Sequence, residues 1–214
     1  MTTLVPHRRT WIVLFSLVGA MTLASGLLLM LEPSGSKHLA VGVPLQQVHS
    51  TISEEHRLFK TDPPLDRDRW RSIVIHDSGS LVGSAATLDR AHLRIGRDGL
   101  GYHFVINNGS GGADGLIERG PRWRYQADGA HSVGAEGDWL NRHAVGVCLI
   151  SDLQRRAPTE AQLARLVWLI QSLQRRIGIP AERVHLPSDL DRAVRASGLF
   201  PAERLRAQLL NLHP

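Results

Sequence analysis

The stretch Ile73-Val74-Ile75-His76-Asp77-Ser78-Gly79-Ser80 constrains this chain most. Three aliphatic residues, all of them β-branched, read as a buried strand. The strand ends on a histidine and breaks at once into Asp-Ser-Gly-Ser. A buried strand holds its last side chain rigidly, and the turn beyond opens space beside it. That geometry suits a metal ligand or an acid/base group. A satisfied strand-end histidine is the plainer alternative on this stretch alone.

Strand and helix patterns alternate on either side of it. Ser84 to Ile95 places Leu88, Ala91, His92 and Ile95 at helical spacing. Gly101 to Ile106 reads as a strand, Asn107-Asn108-Gly109-Ser110 as a turn, and Leu116 to Gly120 as its partner strand. Pro121 to Arg142 reads as a loop carrying Trp123, His131 and Trp139. Ala144 to Ile150 is a third, wholly apolar strand. Thr159 and Gln162 form a capping box ahead of a helix with Leu163, Leu166, Val167, Ile170, Leu173 and Ile177 on one face, and Gly178 stops it. Arg183-Val184-His185 reads as a last short strand, and Pro201 opens a final helix through Leu210. The expected fold class is α/β, a mixed central sheet flanked by helices.

Ahead of this domain lies Trp11 to Leu31, 21 residues without a charge or a proline. At about 1.5 Å per residue such a helix spans a bilayer core. Arg8 and Arg9 precede it, so the positive-inside rule keeps residues 1–10 cytoplasmic and puts the remainder outside. A cleaved leader with Ala24-Ser25-Gly26 as its processing site is the alternative. The expected organisation is a transmembrane anchor at 11–31, a tether at 32–64 broken up by Pro and Gly, and a folded domain at 65–214. The expected location is the inner or cytoplasmic membrane, single pass, with the domain in the periplasm or at the cell exterior.

Cys148 is the only cysteine, so no intrachain disulfide forms, and an exported domain must rest on its packed core. The formal charge of +5 suits an anionic polymer or membrane surface. Nucleic acid would match the charge, but the anchor places the domain away from it.

Taken in order, the motifs resemble the zinc amidases of the N-acetylmuramoyl-L-alanine amidase type, shared with peptidoglycan recognition proteins. Four segments carry the resemblance: Ile73 to Ser80; Gly101-Tyr102-His103-Phe104; Gly129-Ala130-His131 with Asn141 and the strand from Ala144; and Pro158 to Leu163. The resemblance implies cleavage of the amide between N-acetylmuramic acid and L-alanine, with zinc as cofactor and peptidoglycan or muropeptide as partner. It makes His76 the first zinc ligand and Tyr102 the assisting catalytic group. His131, Trp123 and Arg122 are the expected substrate contacts.

The chain departs from the family near its C-terminus. Aligning Ser188-Asp189-Leu190 puts Pro187 at the second ligand position, and Ser197-Gly198-Leu199-Phe200-Pro201 puts Ala196 at the third. Neither side chain has a donor atom. His185, reached by a two-residue slip, and Asp189 or Asp191 are the candidate replacement metal ligands. Two expectations follow: a membrane-anchored peptidoglycan amidase, or a non-catalytic domain that binds muropeptide or a protein partner.

Overall fold

A computed structural model describes residues 15–17, 20–22 and 54–210. The chain divides into two compact units, Met1–Leu45 and Gln46–Pro214. Most of the expected anchor at 11–31 lies outside the described residues, of which 15–17 and 20–22 are helical. Among the described residues no helix is long and apolar enough to cross a membrane.

The second unit is built on a five-stranded sheet of order β3-β2-β4-β1-β5, with β1 Ser72–Asp77, β2 Phe104–Ile106, β3 Ile117–Arg119, β4 Ala144–Leu149 and β5 Val184–His185. All neighbours are parallel except β2 and β3, which form the expected hairpin. The mixed α/β fold is therefore as the sequence pattern indicates. β1 and β4 are apolar on both faces because both faces are covered.

Side chains alternate across the pleat. Ile73, Ile75, Val145, Val147, Leu149, Phe104 and Ile106 point to one face. There they meet Leu163, Leu166, Leu169, Ile170 and Leu173 of the long helix Glu160–Ile177. Its capping box is formed by Thr159 and Gln162, and Gly178 closes it at φ 71°. Glycine reaches that left-handed conformation without a Cβ clash.

The other face carries Val74, His76, His103, Val105, Ala144, Gly146 and Cys148. Helix α1, Ala85–Arg94, covers part of it through Ala85 and Leu88, packed near Val105, Cys148 and Ile150. The N-terminus of α1 is capped by Ser84, and Glu118 Oε2 accepts from Ala85 N. Leu140 covers Val74 and Ala144.

Three expectations need correction. The stretch 121–142 is not all loop: Pro121–Arg124 and Gly137–His143 are helical (α2 and α3), and proline at the first position needs no N–H partner. The last helix is shorter than Pro201–Leu210, spanning Ala202–Arg206. The folded body also starts before Leu65. Residues 54–59 are helical, and Leu58 and Phe59 are each only 7% exposed. Phe59 packs on Phe104, Trp123 and Trp168, and Arg176 lies over its ring at 4.4 Å.

Phe59→Ala should therefore lower stability by about 3–5 kcal/mol, as for a core aromatic. Denaturant unfolding checks this. A loss below about 1 kcal/mol would place residues 54–59 outside the cooperative body.

Candidate functional site

His76 sits at the penultimate position of β1, in register with Cys148 of β4. Cys148 in turn pairs with Val105 of β2, and Gly146 lies one same-face step back along β4. A side chain at Gly146 would fill the space above the sheet. Instead the His131 ring lies there, and an added Cβ at either Gly146 or Gly129 would overlap that ring. The slot is thus made by two glycines, and it holds His131 against His76.

The two imidazoles approach with His76 Nε2 to His131 Nδ1 at 3.2 Å. His131 Nε2 lies 3.3 Å from Ala144 O. A nitrogen facing a carbonyl oxygen must carry the proton, which leaves Nδ1 as the acceptor. His76 Nε2–H then donates to His131 Nδ1. Ser132 Oγ, 3.0 Å from the same Nδ1, is a second donor. Asn141 holds the backbone beneath: its Oδ1 accepts from His131 N and Ser132 N at 2.9 Å each.

Tyr102 completes the cluster, with its ring 5.6 Å from that of His76 and stacked on His131 at 6.3 Å. His103 lies below, fully buried. Its Nδ1 accepts from Gly146 N at 2.9 Å, and Nε2 faces Ala127 O at 3.2 Å. His92 Nδ1 accepts from Gly101 N. His92 and His103 therefore support the backbone around the site.

Burial sets the protonation states. Desolvation first, then His131, push the His76 imidazole down to about 3. Desolvation likewise takes His103 to about 3 and His131 to about 4. Burial pushes the Tyr102 phenol and the Cys148 thiol up, so both keep their protons.

The structure brings His76, Tyr102 and His131 together. The other expected residues fall elsewhere. Trp123 is 0% exposed, inside the aromatic core with Phe104 and Trp70, and cannot meet a substrate. Arg122 donates to the carbonyls of Leu100, Asp98 and Asp128, so its guanidinium holds the loop in place instead of facing a ligand. His185 pairs with Val74, one same-face step behind His76. Asp189 Oδ2 accepts from Leu186 N at 2.8 Å and pairs with Arg206 at 2.6 Å. Asp191 Oδ1 caps Ala193 N. Pro187 is the first residue of the short helix Pro187–Leu190, and Ala196 lies within the helix Arg192–Ser197.

A catalytic zinc requires three protein ligands. Among the described residues no three His, Cys, Asp or Glu side chains converge. His76 Nε2 is engaged by His131, Cys148 remains a thiol, and the acidic candidates are engaged as caps or in an ion pair. The donor set present does not fit that metal centre.

The groups that hold the His131 loop carry no sequence signal. Arg69 donates to Gln126 O and Arg142 O and pairs with Asp128. Arg97 Nη1 donates to Ala130 O. Residues that bond backbone carbonyls leave no pattern in sequence, and their partners are set by the tertiary fold.

Comparison with known proteins bears on ancestry. A family model described as N-acetylmuramoyl-L-alanine amidase matches residues 66–196. Comparison with curated protein sequences gives no match. Among solved structures the chain is similar to the N-acetylmuramoyl-L-alanine amidase LysC from Clostridium intestinale URNW. The TM-score is 0.53 at 22% identity, over 70% of this chain and 92% of that one. An endolysin amidase, LysCS, from the same organism gives TM-score 0.53 at 22% identity, over 70% and 90%. A Drosophila PGRP-LB mutant in complex with tracheal cytotoxin gives TM-score 0.45 at 24% identity, over 63% and 82%.

Two outcomes are expected. Imidazoles held below the free value of about 6.5 bind fewer protons than the unfolded chain. Their contribution is complete above about pH 6.5 and is lost as pH falls toward 4, at up to about 1.4 kcal/mol per pH unit for each ring. Denaturant titrations at pH 7.5 and 5 should show that fall, and equal stability at both would contradict the burial. Gly146→Ala should cost about 1–3 kcal/mol by overpacking. Adding His131→Ala should recover part of that loss, and strict additivity would mean the ring does not occupy the slot.

Proposed function

Because this chain belongs to the N-acetylmuramoyl-L-alanine amidase family, we propose that its folded domain binds muropeptide at the cleft around His76, Tyr102 and His131 without zinc-dependent hydrolysis. The observation that carries this reading is the hydrogen bond between His76 and His131 at 3.2 Å, and the alignment that sets Pro187 and Ala196 at the other two ligand positions supports it. Each missing protein ligand costs a divalent ion several kcal/mol of binding, and a lone imidazole retains it weakly. A single positioned acid or base, here Tyr102, supplies about 10²–10⁴-fold on its own. That is far from the acceleration an unactivated amide demands.

The cleft retains what recognition needs. With His76 Nε2 and both His131 nitrogens engaged internally, the His131 ring holds His76 in place, and His76 Nδ1 and the Tyr102 phenol are the groups offered to a ligand. Completing the proposal, residues 11–31 anchor the chain in the cytoplasmic membrane, residues 1–10 stay inside, and 32–53 tether the domain within reach of the wall.

Calorimetric titration with an N-acetylmuramoyl tripeptide tests this. The expected result is saturable binding that His131→Ala weakens by about tenfold, with no tripeptide released in excess zinc. Zinc-dependent release abolished by His76→Ala would show a rebuilt catalytic site and overturn the reading. An absence of binding would overturn it equally.

A further inference from the structure

A second site lies at the opposite end of the strands from the His76 cleft. Strands β1, β4 and β5 run parallel, so their starts share one edge of the sheet. Arg71 immediately precedes β1, and Arg183 immediately precedes β5. With Arg67 they line a cavity of about 300 Å³ whose apolar side includes Trp70, Ile179 and Pro180.

These guanidinium groups differ from the ion-paired arginines of the domain. Arg69, Arg165, Arg176, Arg204 and Arg206 each meet a carboxylate. Arg67, Arg71 and Arg183 are exposed, and among the described residues none of them forms an ion pair. Asp68 lines the same cavity and offsets only one of the three charges. Like charges gathered without partners raise the local positive potential, and a concave apolar wall focuses it.

The geometry points to a binding site for a phosphate group. A guanidinium fork pairs with two oxygens at once, so one arginine suffices for a carboxylate. Three forks around one cavity match the larger oxygen count and higher charge of a phosphate. That group can be presented by an anionic phospholipid headgroup or by free phosphate, and the chemistry of recognition is the same for both. The site does not depend on how the His76 cleft acts.

The test uses the full chain in micelles of a nonionic detergent. Binding is followed calorimetrically with inorganic phosphate, and with dihexanoyl phosphatidylglycerol mixed into the micelles. The variant Arg67→Gln/Arg71→Gln/Arg183→Gln removes the forks, and Arg90→Gln/Arg156→Gln/Arg192→Gln makes the same charge change at other exposed positions. Thermal melts establish that both variants are folded. The expected result is saturable one-to-one binding that the first variant weakens by about tenfold or more and the second by less than about twofold. Added salt should weaken it too. Binding of the lipid alone assigns a headgroup, and binding of both probes assigns the phosphate group itself. The site is refuted by no saturable binding of either probe at low salt, or by equal weakening in the two variants. Should the first variant not fold, single Arg71→Gln and Arg183→Gln substitutions carry the same comparison, each expected to weaken binding severalfold.

Discussion

The His131 ring lies in a slot that exists only because Gly146 and Gly129 have no side chains. The centre of the site follows from that placement. With the ring seated there, Nε2 faces Ala144 O and Nδ1 faces His76, which fixes the hydrogen-bonding role of both histidines. Burial beneath Tyr102 and above His103 keeps them neutral. The hydrogen-bonded pair occupies the His76 nitrogen that a metal would otherwise compete for.

The slot is held from outside by arginines. Arg69, Arg97 and Arg122 reach the carbonyls of Gln126, Asp128 and Ala130 and thereby clamp the segment leading into His131. Backbone carbonyls in an irregular segment need partners when no strand supplies them. Charged donors meet that need with stronger bonds than neutral ones. A basic composition that suggests an anionic partner is thus partly explained by internal scaffolding, while the arginines at the starts of β1 and β5 share one cavity without a carboxylate partner.

Much of this was legible in sequence. The apolar runs at Ile73 and Ala144, the turn at Asn107, the capping box at Thr159 and the stop at Gly178 each encode a local choice through side-chain period or backbone freedom. His76, Tyr102 and His131 were legible as a group through motif order. Trp123 lies in the core instead of at a substrate, and an aromatic residue in an irregular stretch has the same sequence signature in either place. Arg122, and His185 with Asp189, depend on tertiary geometry: a guanidinium's partner and a strand's register are set by distant segments. Residues 54–59 fall within the expected tether, and six residues are too few to show a helical period. Only the aromatic cluster they complete reveals their place.

His76 is either held by His131 or free to join a metal centre. Side-chain ¹⁵N resonances of the histidines, recorded at neutral pH before and after one equivalent of zinc, decide this directly. The account predicts neutral rings, with the proton of His131 on Nε2, and spectra unchanged by zinc. A stoichiometric shift of His76 together with His185 would contradict it, placing both rings on a metal and the chain among active amidases.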